Sequence, residues 1–312
     1  MSGERSVPGS VTVYAPGSVS NLGPGFDCLG IAFTGRGDVV TARRTRDGGV
    51  RVASVSDPRV PTDAQRNTAA IAAAVVLGRA GADGGLELTV EKGLPLAAGM
   101  GGSAASAVAG AVAADAVLEA HLDRTDLLTA ALEAEAVVSG RHPDNVVPSL
   151  FGGAVLVVGL DPVHVVPLRV HPDLALVLVT PAYTVETARA RAVLPAQVSR
   201  ADAVAQAARL AGLVAGLERG DADLIRRSMV DGIAEPARRA LYPGYPEARA
   251  AGLEAGAVGV AVSGAGPTVV AVVTAGSAEA VGAALRAAYE RLGIAASVHA
   301  AEVDGLGARV VS

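Results

Sequence analysis

The strongest constraint on the fold is a long uncharged segment in the first half of the chain. The stretch "GLPLAAGMGGSAASAVAGAVAADAV" covers residues 93–117 and contains no charged side chain before Asp115. About 20 uncharged residues are enough to cross a bilayer. However, Pro95 and the three glycines after it would interrupt the first half of a helix, and Ala, Gly and Ser contribute little transfer free energy. We therefore expect a buried helix that follows a glycine-rich loop, and no membrane span.

The order of elements around this loop is typical of an anion-binding site. Alternating apolar and polar residues predict a strand over 86–97, and the pattern after the loop predicts a helix from Ser103 to about 120. A helix start offers unpaired N–H groups and a positive dipole end, and glycines let the backbone approach an anion closely. The loop matches neither G-x-x-x-x-G-K-[ST] nor G-x-G-x-x-G. A tight turn capped by Ser103 is therefore an equal alternative on this segment alone.

Further segments rich in Gly, Pro, Ser and Asn lie between predicted strands. They are "SVSNLGPGFD" (18–27) and "SGAGPT" (263–268). Another polar segment, "RHPDNVVPSLFGGAVLVVGL" (141–160), is predicted as a loop that leads into a strand. Because a simple hairpin needs far fewer special residues, several such loops in one chain indicate convergence on one site.

Composition narrows the class of protein. The chain has 312 residues, of which 51% are hydrophobic, so a sizeable core is expected. The net charge of -5 argues against nucleic acid as a partner, because such binding needs a basic surface.

Cys28 is the only cysteine, and the N-terminal residues lack the apolar core of a signal peptide, so a cytoplasmic location is expected. Mixed strands and helices without a repeat predict an α+β chain with a boundary near residue 160.

Three segments, taken in order, resemble the motifs of the GHMP small-molecule kinases. They are "APGSVSNLGPGFDCLGIAF", "PLAAGMGGSAAS" and "VAVSGAGPTVVAV". The resemblance runs from about residue 11 to 303, and "SNLGPGFDCLG" and "RHPDNVVPSLFGG" are most similar to the homoserine kinases of that superfamily. It implies a two-domain α+β fold, with an N-terminal ATP-binding domain (1–160) and a C-terminal ferredoxin-like domain (161–312). It also implies ATP and Mg²⁺ as cofactors and phosphorylation of L-homoserine in threonine biosynthesis.

The same resemblance implies which residues meet the nucleotide and the metal. Ser103 and Glu135 match the hydroxyl and carboxylate that hold Mg²⁺, with Glu133 as the rival acid, and Mg²⁺ accepts such a small set of oxygen ligands beside phosphates. The alternative role for Asn67 is a helix cap, and Gly102 stands where the family usually has serine. The residues implied at the nucleotide are Asn67, Lys92, Pro95, Leu96, Ala97, Ala98, Gly99, Met100, Gly101, Gly102, Ser103, Ala104 and Ala105.

A site for homoserine, a zwitterion with a primary hydroxyl, needs an anion, a cation and a pocket between them. An arginine suits the carboxylate because its planar guanidinium binds both oxygens. The resemblance assigns Asn21 and Asp27 to the amino-acid end, and Arg191 and Arg238 to the carboxylate, although the run "AEPAR" departs from the family's usual His-Gln-Pro-type run. The residues implied around the reacting hydroxyl are His142, Asn145 and Thr187, with Arg191 nearby.

Phosphoryl transfer depends mainly on positioning and charge stabilisation, so a base is not obligatory. The resemblance implies that Asn145 and Thr187 orient the hydroxyl, while Asp144 stays a candidate base. Two other functions stay open: a GHMP kinase for another alcohol (mevalonate, an isoprenoid precursor or a sugar), and a non-catalytic binding protein of the same fold. The pairing of Asp27 with two arginines favours a zwitterion. Whether the chain forms a homodimer is left open by the sequence.

Overall fold

The structure is a computed structural model that describes residues 9–138, 140–274 and 276–312. The strands are β1 (Ser10–Asn21), β2 (Gly25–Thr45), β3 (Gly49–Val55), β4 (Gly85–Glu91), β5 (Ala154–Leu160), β6 (Val163–Leu168), β7 (Leu174–Pro181), β8 (Gly259–Val262), β9 (Val269–Thr274), β10 (Ala296–Ala301) and β11 (Arg309–Val310). The helices are α1 (Thr68–Ala80), α2 (Gly102–Leu118), α3 (Arg124–Val138), α4 (Pro143–Phe151), α5 (Thr187–Ala192), α6 (Arg200–Arg219), α7 (Ala222–Ser228), α8 (Ala234–Arg238), α9 (Tyr245–Glu254) and α10 (Ala278–Arg291), with a 3₁₀ turn at Arg239–Leu241.

The first sheet is built around the long β1–β2 hairpin. Its strand order is β11-β1-β2-β4-β3, and β5 pairs with the far part of β2 and with β6. The β3–β4 pair is parallel, whereas β1, β5 and β4 all run antiparallel to β2. Helices α2 and α4 pack on β1 and β2, and α1 and α3 pack against α2. This layer of helices on a sheet places the start of α2 beside the tip of the hairpin.

The second part of the uncharged segment forms α2, and the predicted buried helix is confirmed. Apolar residues surround it on all sides, as is typical of a helix inside a protein, and its Ala and Val side chains lie in the core. Gly110 lets α1 approach closely, because a Cβ there would lie 2.3 Å from the carbonyl oxygen of Ala69. Within the described residues, no helix combines the length and apolar character needed to span a bilayer.

The second sheet has the antiparallel order β10-β7-β9-β8. Its chain order, β7, helices α5–α9, β8, β9, α10 and β10, is the β-α-β-β-α-β arrangement of ferredoxin-like folds. Helices α9 and α10 pack on this sheet around a second core that includes Tyr289 and Leu285. The predicted α+β fold is therefore confirmed. The sheets change between β6 and β7, and β11 returns to the first sheet, so the division at residue 160 stays a prediction.

Two local predictions are wrong, and one strand is missing from the prediction. Residues 18–27 form the tip of the β1–β2 hairpin, not a long loop, because Asn21 and Leu22 adopt positive φ and turn the chain within three residues. The first part of 141–160 is helix α4, whose start is set by Pro143 in the first turn and whose apolar residues are spaced for one buried face. Strand β6 has no counterpart in the prediction, since "VHVVPL" lies at an edge and is half-exposed.

Candidate active site

A single cleft brings together almost all of the predicted site residues. Its volume is about 330 Å³, and the hairpin tip, the loop before α2, α3, α4, α5, α8 and the 263–268 loop all contribute to its walls. The predicted residues that line it are Asn21, Asp27, Asn67, Lys92, Pro95 to Ser103, Glu135, His142, Asp144, Asn145, Thr187, Arg191 and Arg238. Ala104 and Ala105 do not line it, because α2 carries both side chains into the core, where they are fully buried.

The loop over residues 95–102, called the phosphate loop below, is fixed in place by hydrogen bonds that other segments donate to its carbonyl groups. Three consecutive carbonyl oxygens accept hydrogen bonds: Ala98 from Thr268 N (3.1 Å), Gly99 from Ser263 Oγ (2.6 Å) and Met100 from Ser18 N (3.1 Å). In a trans peptide the C=O and the next N–H point in opposite directions. The N–H groups of residues 99–101 therefore point away from these anchors. This arrangement suits an anion at the start of α2.

Two glycines of this loop have no room for a side chain. Gly99 and Gly101 have φ values of 74° and 67°, and a Cβ on either would lie 2.2 Å from a neighbouring oxygen. Gly101 is the N-cap of α2 and supplies no side-chain cap, while Ser103 lies inside the helix. The alternative of a turn capped by Ser103 is therefore wrong. The close-fitting glycine backbone is a cradle that fits a triphosphate.

Gly102 differs from the other two glycines, and its replacement is expected to be tolerated. Its φ is not positive, and a Cβ would meet Leu94 Cβ at 3.5 Å and Lys92 Nζ at 3.7 Å, which are ordinary contacts. We expect Gly102→Ser to fold normally and to keep the KM for ATP within about threefold, the scale of a surface substitution. Steady-state kinetics and a thermal melt measure this, and a loss of more than tenfold would contradict the available space.

Two predicted nucleotide residues have other partners in the structure. The Asn67 side chain caps α1, because its Oδ1 accepts from Ala69 N and Ala70 N at 3.1 and 3.2 Å. The Lys92 ammonium lies beneath the phosphate loop in an ion pair with buried Asp38. Both residues still line the cleft, and direct contact with a nucleotide stays a prediction for each.

Both predicted metal ligands, Ser103 and Glu135, line the cleft that the phosphate loop also lines. Glu135 is 2% exposed and lines the cleft, whereas Glu133 is exposed and lies 3.6 Å from Arg79 on the outer surface. A carboxylate and the Ser103 hydroxyl are the hard oxygen donors that Mg²⁺ prefers. Among the described residues, no group of three or more His, Cys, Asp or Glu side chains has an arrangement that could hold a metal ion by itself. These donors fit a Mg²⁺ ion that takes its other ligands from phosphates and water.

The corner of the cleft around Asp27 concentrates opposite charges. The Arg191 guanidinium binds both oxygens of Asp27, at 3.0 and 2.8 Å, and lies 3.1 Å from His142 Nδ1. Asn21 holds this corner, since its Oδ1 accepts from Asp27 N at 3.1 Å. Arg238 is 4% exposed and donates to the Ala190 carbonyl at 2.8 Å, so its charge is buried against neutral acceptors. One carboxylate and two guanidiniums thus face a small volume.

A chain of polar side chains connects the hairpin to the start of α4. Ser18 Oγ donates to Asn145 Oδ1 at 3.1 Å, and Asn145 Nδ2 donates to Ser20 Oγ at 3.2 Å. Asp144 is 2% exposed, and its Oδ1 has no hydrogen-bond partner in the described part of the chain. Burial, followed by the nearby charge of Asp27, raises the pKa of Asp144 to about 6. The amide of Asn145 is therefore oriented on both sides beside a carboxyl that holds a proton unusually well.

Sequence reasoning missed the supporting residues of the site. Ser18 and Ser20 lie within a quoted loop, and their alternate spacing on a strand, with both side chains buried, was the available signal. Ser263 likewise lies within a quoted segment. Asp38 follows "GRG" in a strand and carries no local signal, because its partners are more than fifty residues away.

Comparison with known families fits this geometry. The family description "GHMP kinases N terminal domain" matches residues 67–153, and "GHMP kinases C terminal" matches residues 213–291. Together these matches cover the phosphate loop, the acidic end of α3, and strands β8 and β9 of the second sheet. The chain belongs to the GHMP kinase family.

Individual relatives sharpen the comparison. The homoserine kinase of Xanthomonas campestris pv. campestris is 42% identical over 226 residues, which cover 72% of this chain and 69% of the relative. That of Pyrococcus abyssi is 38% identical over 225 residues, or 72% and 74% of the two chains. A crystal structure of homoserine kinase from Cytophaga hutchinsonii matches with a TM-score of 0.95 at 40% identity, over 98% and 99% of the two chains. Galactokinase of Lactococcus lactis, at 17% identity and a TM-score of 0.63 over 98% and 96%, shares the fold.

Proposed function

We propose that this protein transfers the γ-phosphoryl group of ATP to the hydroxyl of L-homoserine. The observation that carries the proposal is one cleft that is lined both by the phosphate loop and by an Asp27–Arg191 pair, with Arg238 on the same Phe26 ring as Arg191. Relatives named homoserine kinase support it at 42% and 38% identity, as does the structure with a TM-score of 0.95. In the reaction, the hydroxyl oxygen bonds to the γ-phosphorus, the bond to the ADP oxygen breaks, and one proton is released.

Different residues of the cleft bind the metal and the amino acid. Ser103 and Glu135 would hold Mg²⁺, which supplies positive charge against the phosphate oxygens when bound. Asp27 pairs with the ammonium of homoserine, and Arg191 and Arg238 bind its carboxylate, which leaves the hydroxyl near Asn145 and Thr187. The Ser18–Asn145–Ser20 hydrogen bonds fix the Asn145 amide before substrate arrives. Catalysis then consists mainly of orientation and charge stabilisation.

A coupled ADP-release assay tests the proposed function. We expect turnover with L-homoserine and little with L-threonine, mevalonate or galactose at equal concentration. Turnover with one of the other alcohols and not with homoserine would favour a GHMP kinase of different specificity. ATP binding without turnover of any alcohol would favour a non-catalytic binding protein. A cytoplasmic location stays a prediction from the sequence, and the homodimer that the sequence leaves open is addressed by a sedimentation experiment.

Replacement of Asp144 by asparagine separates the two proposed mechanisms. If Asn145 and Thr187 orient the hydroxyl without a base, Asp144→Asn is expected to keep measurable kcat, reduced by no more than the factor of about 100 at which general-base contributions begin. The folded variant is compared with the unmodified protein at saturating ATP and homoserine. A near-total loss of kcat, together with loss of an acid limb near pH 6 from the pH–rate profile, would show instead that Asp144 is the base.

The same variant, Asp144→Asn, is expected to change how the free energy of unfolding depends on pH. Because burial raises the pKa of Asp144 from its ordinary value to about 6, its protonated form is favoured in the folded state. The contribution of Asp144 to the free energy of unfolding is therefore fully present below the pKa that this carboxyl has in the unfolded chain. It is lost as the pH rises through about 6, and the loss is up to ~3 kcal/mol. Urea titrations between pH 4 and 7.5 should show that Asp144→Asn loses less stability over this range than the unmodified chain. An equal decline in both would contradict the burial of this carboxyl.

A further inference from the structure

A buried carboxylate on β2 lies behind the phosphate loop and has no task in the mechanism above. Asp38 is fully buried and accepts hydrogen bonds from four donors. They are Lys92 Nζ, Ser106 Oγ (2.6 Å), Gly93 N (3.1 Å) and Leu94 N (3.2 Å). A carboxylate with two oxygens has about four acceptor sites, so these donors account for its hydrogen-bonding capacity.

The donors to Asp38 come from both ends of the phosphate loop. Gly93 and Leu94 lead into the loop, whereas Ser106 lies in the second turn of α2, just after the loop ends. Lys92 adds a second link, because its Nζ also donates to the Gly102 carbonyl at 2.8 Å and to Ser106 Oγ at 2.8 Å. One carboxylate and one ammonium therefore tie the entry of the loop to the start of α2.

The ammonium of Lys92 has all of its donors engaged. An ammonium carries three N–H groups, and its acceptors here are Asp38, Ser106 and the Gly102 carbonyl. The side chain is 5% exposed although it borders the floor of the cleft. No N–H of this lysine is left for a phosphate unless one of these three contacts is given up.

We propose that Asp38 is a positioning residue that sets the geometry of the phosphate loop, and that Lys92 acts through the same contacts and not as a phosphate ligand. A buried ion pair is a weak source of stability compared with apolar packing, but it requires an accurate geometry. Here that geometry connects the two ends of a loop whose carbonyls already accept hydrogen bonds from Ser18, Ser263 and Thr268. The inference rests on the proposed function only in taking the ligand of this loop to be a nucleotide.

Three variants test this proposal: Asp38→Asn, Ser106→Ala and Lys92→Gln. Ser106→Ala removes one small contact and is expected to fold even if Asp38→Asn does not. We expect ADP affinity, measured by calorimetry with Mg²⁺, to fall about threefold to tenfold in Ser106→Ala and thirtyfold or more in Asp38→Asn. The KM for ATP should rise in parallel, while the KM for homoserine stays within about twofold. Amide hydrogen exchange over 93–102 should accelerate in both variants without any ligand.

Asp304→Asn is the matched control. Asp304 is also a buried carboxylate (4% exposed) that accepts two backbone N–H bonds and pairs with a cation, Arg309, but it lies in the C-terminal segment away from the loop. This variant should lower the melting temperature without changing either KM. If Asp38→Asn behaves in the same way, or raises both KM values equally, the proposal is wrong.

The outcomes also separate this proposal from the proposed function. A chain that binds ADP but does not turn over homoserine would contradict the function, while the affinity and exchange measurements still decide the role of Asp38. No binding of ADP to the unmodified chain would contradict both. If Lys92 instead contacts the γ-phosphate, Lys92→Gln would keep its affinity for ADP, which lacks that group, and would lose kcat. That result would overturn the assignment of Lys92.

Discussion

Gly99→Ala is expected to lower kcat/KM for ATP by at least about 100-fold, while the amino-acid end of the cleft stays intact. The residue has a φ of 74°, and a Cβ would lie 2.2 Å from the Ser263 carbonyl oxygen and 2.9 Å from Gly266 N. Both are backbone atoms, which cannot rotate away as the end of a side chain could. The loop must therefore shift, and misplacement of about 1 Å in a positioning element costs about 100-fold in rate.

Gly102→Ala supplies the matched control for this prediction. It makes the same chemical change three residues further along, at a position without positive φ and with its nearest Cβ contact at 3.5 Å. Its kcat/KM for ATP should stay within about threefold of the unmodified chain. Stopped-time ADP assays and circular dichroism are measured on both variants. Equal behaviour of the two, in either direction, would contradict the claim that close backbone contact shapes this loop.

The contrast between these glycines shows what the sequence could and could not predict. The pattern of strand, glycine loop and apolar helix was sufficient for α2 and for the position of the loop. Which glycine is indispensable depends on the 263–268 segment, which reaches the loop only in the folded chain. Local sequence cannot reveal such a contact, since its partners are separated by more than 160 residues.

The polar segment over residues 141–160 shows a different limit of prediction from the sequence. Its residues His142, Asp144 and Asn145 were placed correctly in the cleft although the segment was predicted as a loop. Helix α4 instead begins at Pro143, and its first turn carries Asp144 inward, where burial raises the carboxyl pKa to about 6. Polar residue types indicated the site, while the two prolines concealed the helix.

Supporting residues were the main omission, and the reason is physical. Asp38 and Ser106 are ordinary residues in a strand and a helix, and nothing in their neighbours distinguishes them. Their role arises because β2 and α2 pack against each other and bring a carboxylate beneath a helix start. Lys92 stands out as the one lysine of the chain, but nothing in the sequence indicates its partner.

Asp27→Asn is expected to raise the KM for L-homoserine by about 100-fold with a much smaller change in kcat. Asp27 is the carboxylate that Arg191 binds with two hydrogen bonds, and we propose that the substrate ammonium replaces that pairing. Truncation of one member of a close charge pair commonly costs 2–5 kcal/mol, or about 30-fold to several thousandfold. An asparagine keeps the size and one acceptor oxygen, so the loss isolates the charge.

A substrate analogue makes this test specific to the ammonium group. 4-Hydroxybutanoate has the same hydroxyl and carboxylate as homoserine but no ammonium, so the unmodified protein should strongly prefer homoserine and Asp27→Asn should lose most of that preference. Glu186→Gln is the control, because this exposed acid precedes α5 and lies outside the cleft lining in the described part of the chain. A KM that rises equally for both compounds would show that Asp27 acts only by holding Arg191. The distinction matters because a site that held both charges of a zwitterion would discriminate against alcohols and sugars that lack an ammonium group.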